Sequence, residues 1–417
     1  MSDPFSLVNR AKNLGYACEI YYVERWEYSL AKEKQYQSSN LKEMGYGVRI
    51  FKDGRVGFAF STDLTDEVLD RAISVLRVSE RDPNNEIPPA SKPSLLSLDR
   101  GEDLVEPSKE TLKSLEDLQE KVNVVGLYAS ATRVKVGVVN TEGLDVSEIR
   151  SSVHAGVTAN YKDQAIVTPE IYESRSGRSF KEIQTDELKE SVVEKVSVTK
   201  SRIKLETKPS RIVLNTKAIS ELLYPLLSYS VNGENVYRKR SPLDLGQVYG
   251  MITVVDNPRN EKSELSRSFD GEGQATSERT LIGKGVFQGV LTNWYWSRKM
   301  GVPNSASAVR SYMSTPSVGP SLMQIFCDEK QELEENDLVV DQVQGVHTSN
   351  WDTGEFGVVV PVAWVVRKGE KVGVREVVLS GDLKTLLRGV KGEVGSRKRV
   401  WAIESPDLAV EGLTIVS

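Results

Sequence analysis

The sequence predicts an α+β protein in two parts. Residues 1–205 read as an N-terminal α+β domain, a sheet with helices packed on it, and residues 206–417 as a β-rich C-terminal domain with an antiparallel barrel-like or sandwich-like sheet. Three observations carry this. Long aromatic and β-branched runs alternate with few helical segments in the first half, without the repeated strand–helix–strand units of a parallel fold. A polar, basic stretch, SRIKLETKPS, separates the halves near residues 201–210. Beyond Gly250 short apolar runs recur between Gly, Pro, Asn and Asp, the rhythm of a β-rich domain.

Residues 5–15 form a short helix, and 18–36, CEIYYVERWEYSLAKEKQY, a long or bent strand. In YGVRIFKDGRVGFAF, Asp53-Gly54 separates two strand-like arms and marks a hairpin, because this pair tolerates the positive φ of a type I′ turn. Val68, Leu69, Ala72, Ile73, Val75 and Leu76 recur at helical spacing behind Asp63 and Asp66. Five prolines between Pro83 and Pro107 make residues 81–107 a long surface connection. Leu112, Leu115 and Leu118 then mark a second helix, 122–139 return to strand character, Asn140 to Gly143 turn, and an alternating stretch covers 147–159. A charged helix spans 183–196. In the second half Arg211 to Asn215 is a strand, and Thr216 opens a helix through Leu226 and Leu227 that Pro225 interrupts and bends. The runs MITVVD, ERTLI with GVFQGVL, LMQIF, DLVV, FGVVVPVAWVV and VGVREVVL follow as strands.

Composition excludes several functions. With 54 Lys+Arg against 59 Asp+Glu the net charge is −5, so no dedicated nucleic-acid surface is advertised and direct binding to nucleic acid is not expected. Cys18 and Cys327 stand far apart and build neither a disulfide framework nor a cysteine-rich zinc module. Nothing resembles a signal core or an apolar span of about 20 residues, so the expected place is the cytoplasm, away from membranes. His154 and His347 are the two histidines of the chain, and a helical pair of zinc-binding histidines cannot be made from them.

The remaining candidates are three. The loop QGVHTSNWDTGEFG combines the flexible Gly345 and Gly354 with His347, Asp352 and Glu355, groups suited to contacts with peptide amides or to capping the loop itself. Asp270 and Glu272 are two close carboxylates, a possible acid–base pair or hard-cation site, with turn formation as the plainer role. Trp294, Tyr295 and Trp296, with the basic residues Arg238 and Lys239, suit an interface, since aromatics give contact area at small entropy cost. A second basic run, Arg397 to Arg399, reads as a solvated face.

The order of several stretches resembles the TldD/PmbA family, also called the modulator of DNA gyrase family. They are RIVLN with its following helix, ITVVDNP, FDGEGQATSERTLIGKGVFQGVLTN, RKMG, PNSASAVR, QGVHTSNWDTGEFGVVVPVAWVVRKGE and VVLSGDLKTLL, with VVNTEG compatible upstream. The resemblance implies a dimer or heterodimer that processes peptides or unfolded protein segments. It further implies that a TldD-like member carries an HExxxH helix holding zinc. In this chain the helix after RIVLN has no histidine, and Glu221 reads as a solvent-facing helical residue. The PmbA/TldE-like branch is therefore expected: no catalytic or metal-ligating residue and no cofactor in this chain, zinc in a TldD-like partner subunit, and a homodimer as a further possibility. Two alternatives stand beside it: an autonomous carboxylate-dependent hydrolase using Asp270 and Glu272, and a regulator interacting with DNA or topoisomerase.

Overall fold

In the computed structural model, residues 3–209 and 211–416 are described. The first part is α1 (Pro4–Asn13), β1 (Ala17–Lys32), β2 (Tyr36–Lys52), β3 (Arg55–Ser61), α2 (Asp66–Val78), α3 (Val105–Glu116), β4 (Asn123–Asn140), β5 (Asp145–Asn160), β6 (Ile171–Gly177) and α4 (Thr185–Lys200). Its strands make one six-stranded antiparallel sheet in the order β3-β2-β1-β4-β5-β6. Asp53 and Gly54 both take positive φ, 51° and 74°, so the hairpin turns where the sequence places it. The stretch read as strand over 122–139 is the strand β4, Asn123–Asn140, of which Leu127 to Asn140 pair with β1.

Helices cover the sheet in two groups. Leu7, Val8 and Ala11 of α1 and Val68, Leu69 and Ala72 of α2 pack on Ile20, Val48 and Ile50. Leu112 and Leu115 of α3 and Leu188 and Val192 of α4 pack on Ala129, Val153 and Val157, and this core continues into Val213, Val339 and Trp364 of the second part. Each such buried side chain contributes about 1.5–3 kcal/mol. The two parts thus share apolar contacts rather than merely touching. Residues 80–103 carry no helix or strand and strap one part to the other. The Leu96 amide donates to Ser268 Oγ at 2.8 Å, and the carbonyls of Pro88 and Pro89 accept from Asn140 and Gln274 at 3.1 and 2.9 Å.

The second part is built on a 13-stranded sheet. β7 (Ile212–Leu214) lies inside it, parallel to Leu338–Gln344 and antiparallel to Ile403–Val410. Most pairs are antiparallel, as expected. Parallel pairs also occur, at β7 and between Leu322–Cys327 and Ile403–Val410, because neither pair is joined by a hairpin that would force antiparallel direction. The sheet runs from Val286–Phe287 to Thr414–Val416 and stays open instead of closing as a barrel. Its last long hairpin, Val390–Val400 with Ile403–Val410, falls where the sequence suggested only a basic surface.

Gly57 marks the tightest contact of α2 with the sheet: a Cβ there would stand 2.0 Å from the Ala72 carbonyl and 2.7 Å from Leu76 Cβ. Backbone cannot yield as a flexible side chain does. G57A should lower unfolding free energy by about 1–3 kcal/mol in urea titrations, with the m-value unchanged.

Candidate functional site

The deepest polar site grows from the end of β7. All three residues of the strand are buried, and Asn215 caps the helix that follows, its Oδ1 accepting the Ala218 amide at 2.9 Å. Thr216 donates to the Ser405 carbonyl at 3.0 Å, and its amide donates to Asp407 at 2.9 Å. Lys217 is thereby aimed between the two parts of the molecule. Its Nζ donates to Glu173 of β6 at 3.1 Å, to Gln342 at 2.9 Å and to the Tyr172 carbonyl, and lies 3.8 Å from Asp341. Lys195 of α4 closes the figure, 2.7 Å from Glu173 and 2.6 Å from Asp341.

Two ammoniums and two carboxylates therefore form a buried square. Burial alone would push the Glu173 carboxyl up; Lys217 and Lys195 more than offset it and hold the group down to about 2. Lys195 is likewise held above the usual lysine range by Asp341 and Glu173, despite its burial. The square forms part of the lining of a cleft of about 1120 Å³. On one side stand Glu187, Glu190 and Glu194 of α4, and on the other Arg397, Lys398 and Arg399 from the last hairpin.

One turn further, Glu221 sits in a π-helical segment, Ile219–Leu223, between Thr216–Ala218 and Tyr224–Ser230. Pro225 explains the widening, since its ring has no N–H for the Glu221 carbonyl and crowds it. Glu221 does not face solvent as its sequence suggested. It is partly buried, accepts the Val343 amide at 2.7 Å, and burial raises its pKa to about 7 against the opposing pull of Lys217.

This donor set does not fit zinc. The helix opens on Thr216, Lys217 and Ala218; Glu173 and Asp341 beside it face ammoniums that would repel a cation, and Asp407 accepts the Thr216 amide and hydroxyl. Among the described residues no group of three or more His, Cys, Asp or Glu is placed to hold a metal. His154 lies on β5 opposite Ser130 and Ser176, partly buried, with burial lowering its pKa, and both cysteines are buried.

The residues singled out from sequence fall elsewhere. His347 is exposed on a short turn, Val346–Thr348, and Gly345 before it has φ 94°. Asp352 accepts the Tyr229 hydroxyl, Glu355 is exposed beside Thr353, and Gly354, φ 75°, is pressed against Leu383 and Pro242. The loop therefore packs on the helix after β7 without reaching the lysine–carboxylate square. Asp270 and Glu272 are both buried. Asp270 accepts the amides of Glu272, Gln274 and Ala308 at 2.9–3.0 Å, while Glu272 holds Arg49 at 2.9 Å and the Trp294 amide at 2.8 Å. Neither has the free oxygens of an acid–base pair. Trp296 is buried between Tyr237 and Tyr295, Arg238 stacks on it and pairs with Glu234, Lys239 has φ 56°, and Tyr295 donates to Asp82. These aromatics join the 81–107 connection to the second part within one chain.

Fold and cleft together define an α+β protein whose two sheets enclose a charged polar cleft. Profiles of the PmbA/TldA metallopeptidases match it in three segments: domain 1 over residues 18–78, the central domain over 82–199 and the C-terminal domain over 207–417. The chain belongs to the PmbA/TldD family. It is 26% identical over 399 residues to an uncharacterized protein of Methanocaldococcus jannaschii, covering 91% of this chain and 92% of that one. With metalloprotease PmbA of Escherichia coli O157:H7 it shares 24% identity across 82% of this chain and 79% of the relative. Its fold matches TldE of Thermococcus kodakarensis (TM-score 0.88, 20% identity, 99% of both chains). It also matches a putative modulator of DNA gyrase from Thermotoga maritima (TM-score 0.89, 22% identity, 99% of both chains).

Glu221 makes stability depend on pH in a defined direction. Its folded pKa, about 7, exceeds the ordinary 4.5, so its favourable contribution is complete below about pH 4.5 and is lost as pH rises through 7. E221Q keeps an acceptor for the Val343 amide and removes the titration. Compared by denaturant unfolding between pH 4.5 and 8, the variant should gain on the parent as pH rises, by up to about 3 kcal/mol. A constant difference across that range would refute the assignment.

Proposed function

We propose that this chain is a PmbA/TldE-like subunit without catalytic groups of its own, working beside a TldD-like zinc metalloprotease subunit in a cytoplasmic complex that processes peptides or unfolded protein segments. The observation that carries this reading is the lysine–carboxylate square at the start of the helix after β7. In the resemblance drawn from sequence, this is the neighbourhood in which a TldD-like chain carries its zinc-binding helix. Here Lys217 and Lys195 pair with both carboxylates, and their positive charge in the place of a metal's ligands favours binding over metal chemistry. The likeness to proteins named metalloprotease PmbA and TldE supports the same reading.

In this role zinc belongs to the partner subunit, and this chain contributes surface. The facing acidic and basic walls of the cleft suit peptide backbone and charged side chains. The loop with Gly345, His347, Asp352, Gly354 and Glu355, which lies outside this cleft, offers exposed polar groups to substrate or partner.

The chain purified alone should show no chelator-sensitive peptide cleavage and hold substoichiometric zinc. After co-expression with a TldD-like chain, a complex should be recovered that cleaves unfolded peptide, loses activity on chelation and carries its zinc on the partner, as read by native mass spectrometry with metal analysis per subunit. Robust chelator-sensitive cleavage by the chain alone would overturn the reading.

A further inference from the structure

A second polar site, separate from the cleft around Lys217, lies between β1, β4, β5 and the second part. Tyr21 of β1, Val136 of β4 and Arg150 of β5 form one wall of a pocket of about 240 Å³. Arg267, Phe269 and Arg310 from the second part form the other. Three guanidiniums thus line a space smaller than the roughly 300–1,000 Å³ of ordinary drug-sized pockets.

Their partners do not suffice. Arg310, whose side chain is 0% exposed, uses Nη1 on Glu19 at 2.6 Å, while its Nε and Nη2, the two donors on one edge of the guanidinium plane, bond nothing. Arg267 is partly buried; its Nη2 reaches the Gly319 carbonyl at 3.3 Å, and its Nε, which is buried, bonds nothing. Arg150 is the one of the three with a carboxylate largely to itself, Glu148 at 2.5 Å.

The nearby acceptors are spent. Glu19 serves Arg49 and Arg310, Glu272 serves Arg49 and the Trp294 amide, and Glu148 also takes the Ser268 amide. Asp270 lines the pocket, but its oxygens face backbone amides, and burial followed by the charge of Glu272 pushes its pKa up to about 7. Asp256, also buried, faces Arg267 but gives its Oδ1 to the amide and hydroxyl of Ser321, so the Nε of Arg267 and the Nε and Nη2 of Arg310 are left without acceptors. Arginine cannot relieve this by losing a proton. The three pocket arginines also surround one point: burial raises the Tyr21 phenol, and Arg150, Arg310 and Arg267 all pull it back.

We infer that this pocket is a binding site for a small oxyanion, taking one carboxylate or phosphate group, with Arg150, Arg267 and Arg310 as its cationic ligands and Tyr21 at its wall. An anion there supplies acceptors for buried N–H groups, whose bonds are costly to leave unmade. Planar guanidiniums match the oxygens of either group in paired hydrogen bonds. The site joins β1, β4 and β5 to the second part, so its occupancy also fastens the two together.

Arg267 is the residue to test, because it makes no direct ion pair with a carboxylate, although its charge also faces Asp256 and Asp270. Thermal unfolding and calorimetric titration of the full chain would use inorganic phosphate in one arm and acetate in the other, each against potassium chloride at equal ionic strength. Saturable binding with a rise in melting temperature is expected in at least one arm, and the arm that responds identifies the ligand class. R267M should bind the responding anion at least about tenfold more weakly than the parent. R267K, which keeps charge but loses the planar fork, should fall between the two and serves if R267M does not fold. No saturable effect of either anion on the parent, or undiminished binding by the folded variants, would overturn the inference.

Discussion

Arg49 is the interaction on which the assembly of the two parts depends. It stands directly opposite Glu19 in the β1–β2 ladder and grips that carboxylate with two bonds, at 2.9 and 2.8 Å, while its Nη2 also holds Glu272 from the second part at 2.9 Å. All three groups are buried. A charge taken out of water tolerates no loss of its partner, since removing one member of a buried pair costs about 3–5 kcal/mol. A one-residue slip of β2 would turn Arg49 to the other face of the sheet and leave Glu19 without it. The same triad fixes the 269–273 turn, and through Glu272 and the Trp294 amide it fixes the helix Trp294–Met300.

The lysine–carboxylate square repeats this logic on the opposite side. Glu173 comes from β6, Lys195 from α4, Lys217 from the helix after β7 and Asp341 from Leu338–Gln344, so four elements meet at one neutral cluster. Apolar packing of Val213, Val339 and Trp364 against α3 and α4 brings these elements close. The charges then decide the register in which they meet. Two ammoniums held this close to both carboxylates oppose the approach of a further cation.

Much of the architecture was legible because its signals are local. Asp53-Gly54 forms its turn through intrinsic backbone preference, and the apolar positions of α2 declare their face by spacing. Asn215 and Thr216 mark a helix start, and Pro225 marks a disturbance. Its consequence was not legible: regular periodicity puts Glu221 outside, whereas the π-helical segment and the strand carrying Val343 enclose it. The carboxylates at Asp270 and Glu272 looked like a reactive pair because they are neighbours in sequence. Four backbone amides and an arginine more than 200 positions away claimed them instead.

By itself, then, the sequence determined the α+β class, the change of character near residue 205, the principal hairpin and helix starts, and the lack of a histidine pair after β7. Each of these depends on residue type and short-range spacing, which the chain carries wherever it goes. Only the tertiary structure decided which charges are buried together, that the second sheet is open and mixed, and where the cleft and the arginine-lined pocket lie. Those outcomes depend on pairings such as Lys217 with Glu173 and Arg310 with Glu19, separated by long stretches of chain, and a buried charge acquires its partner only when packing has closed the space around it.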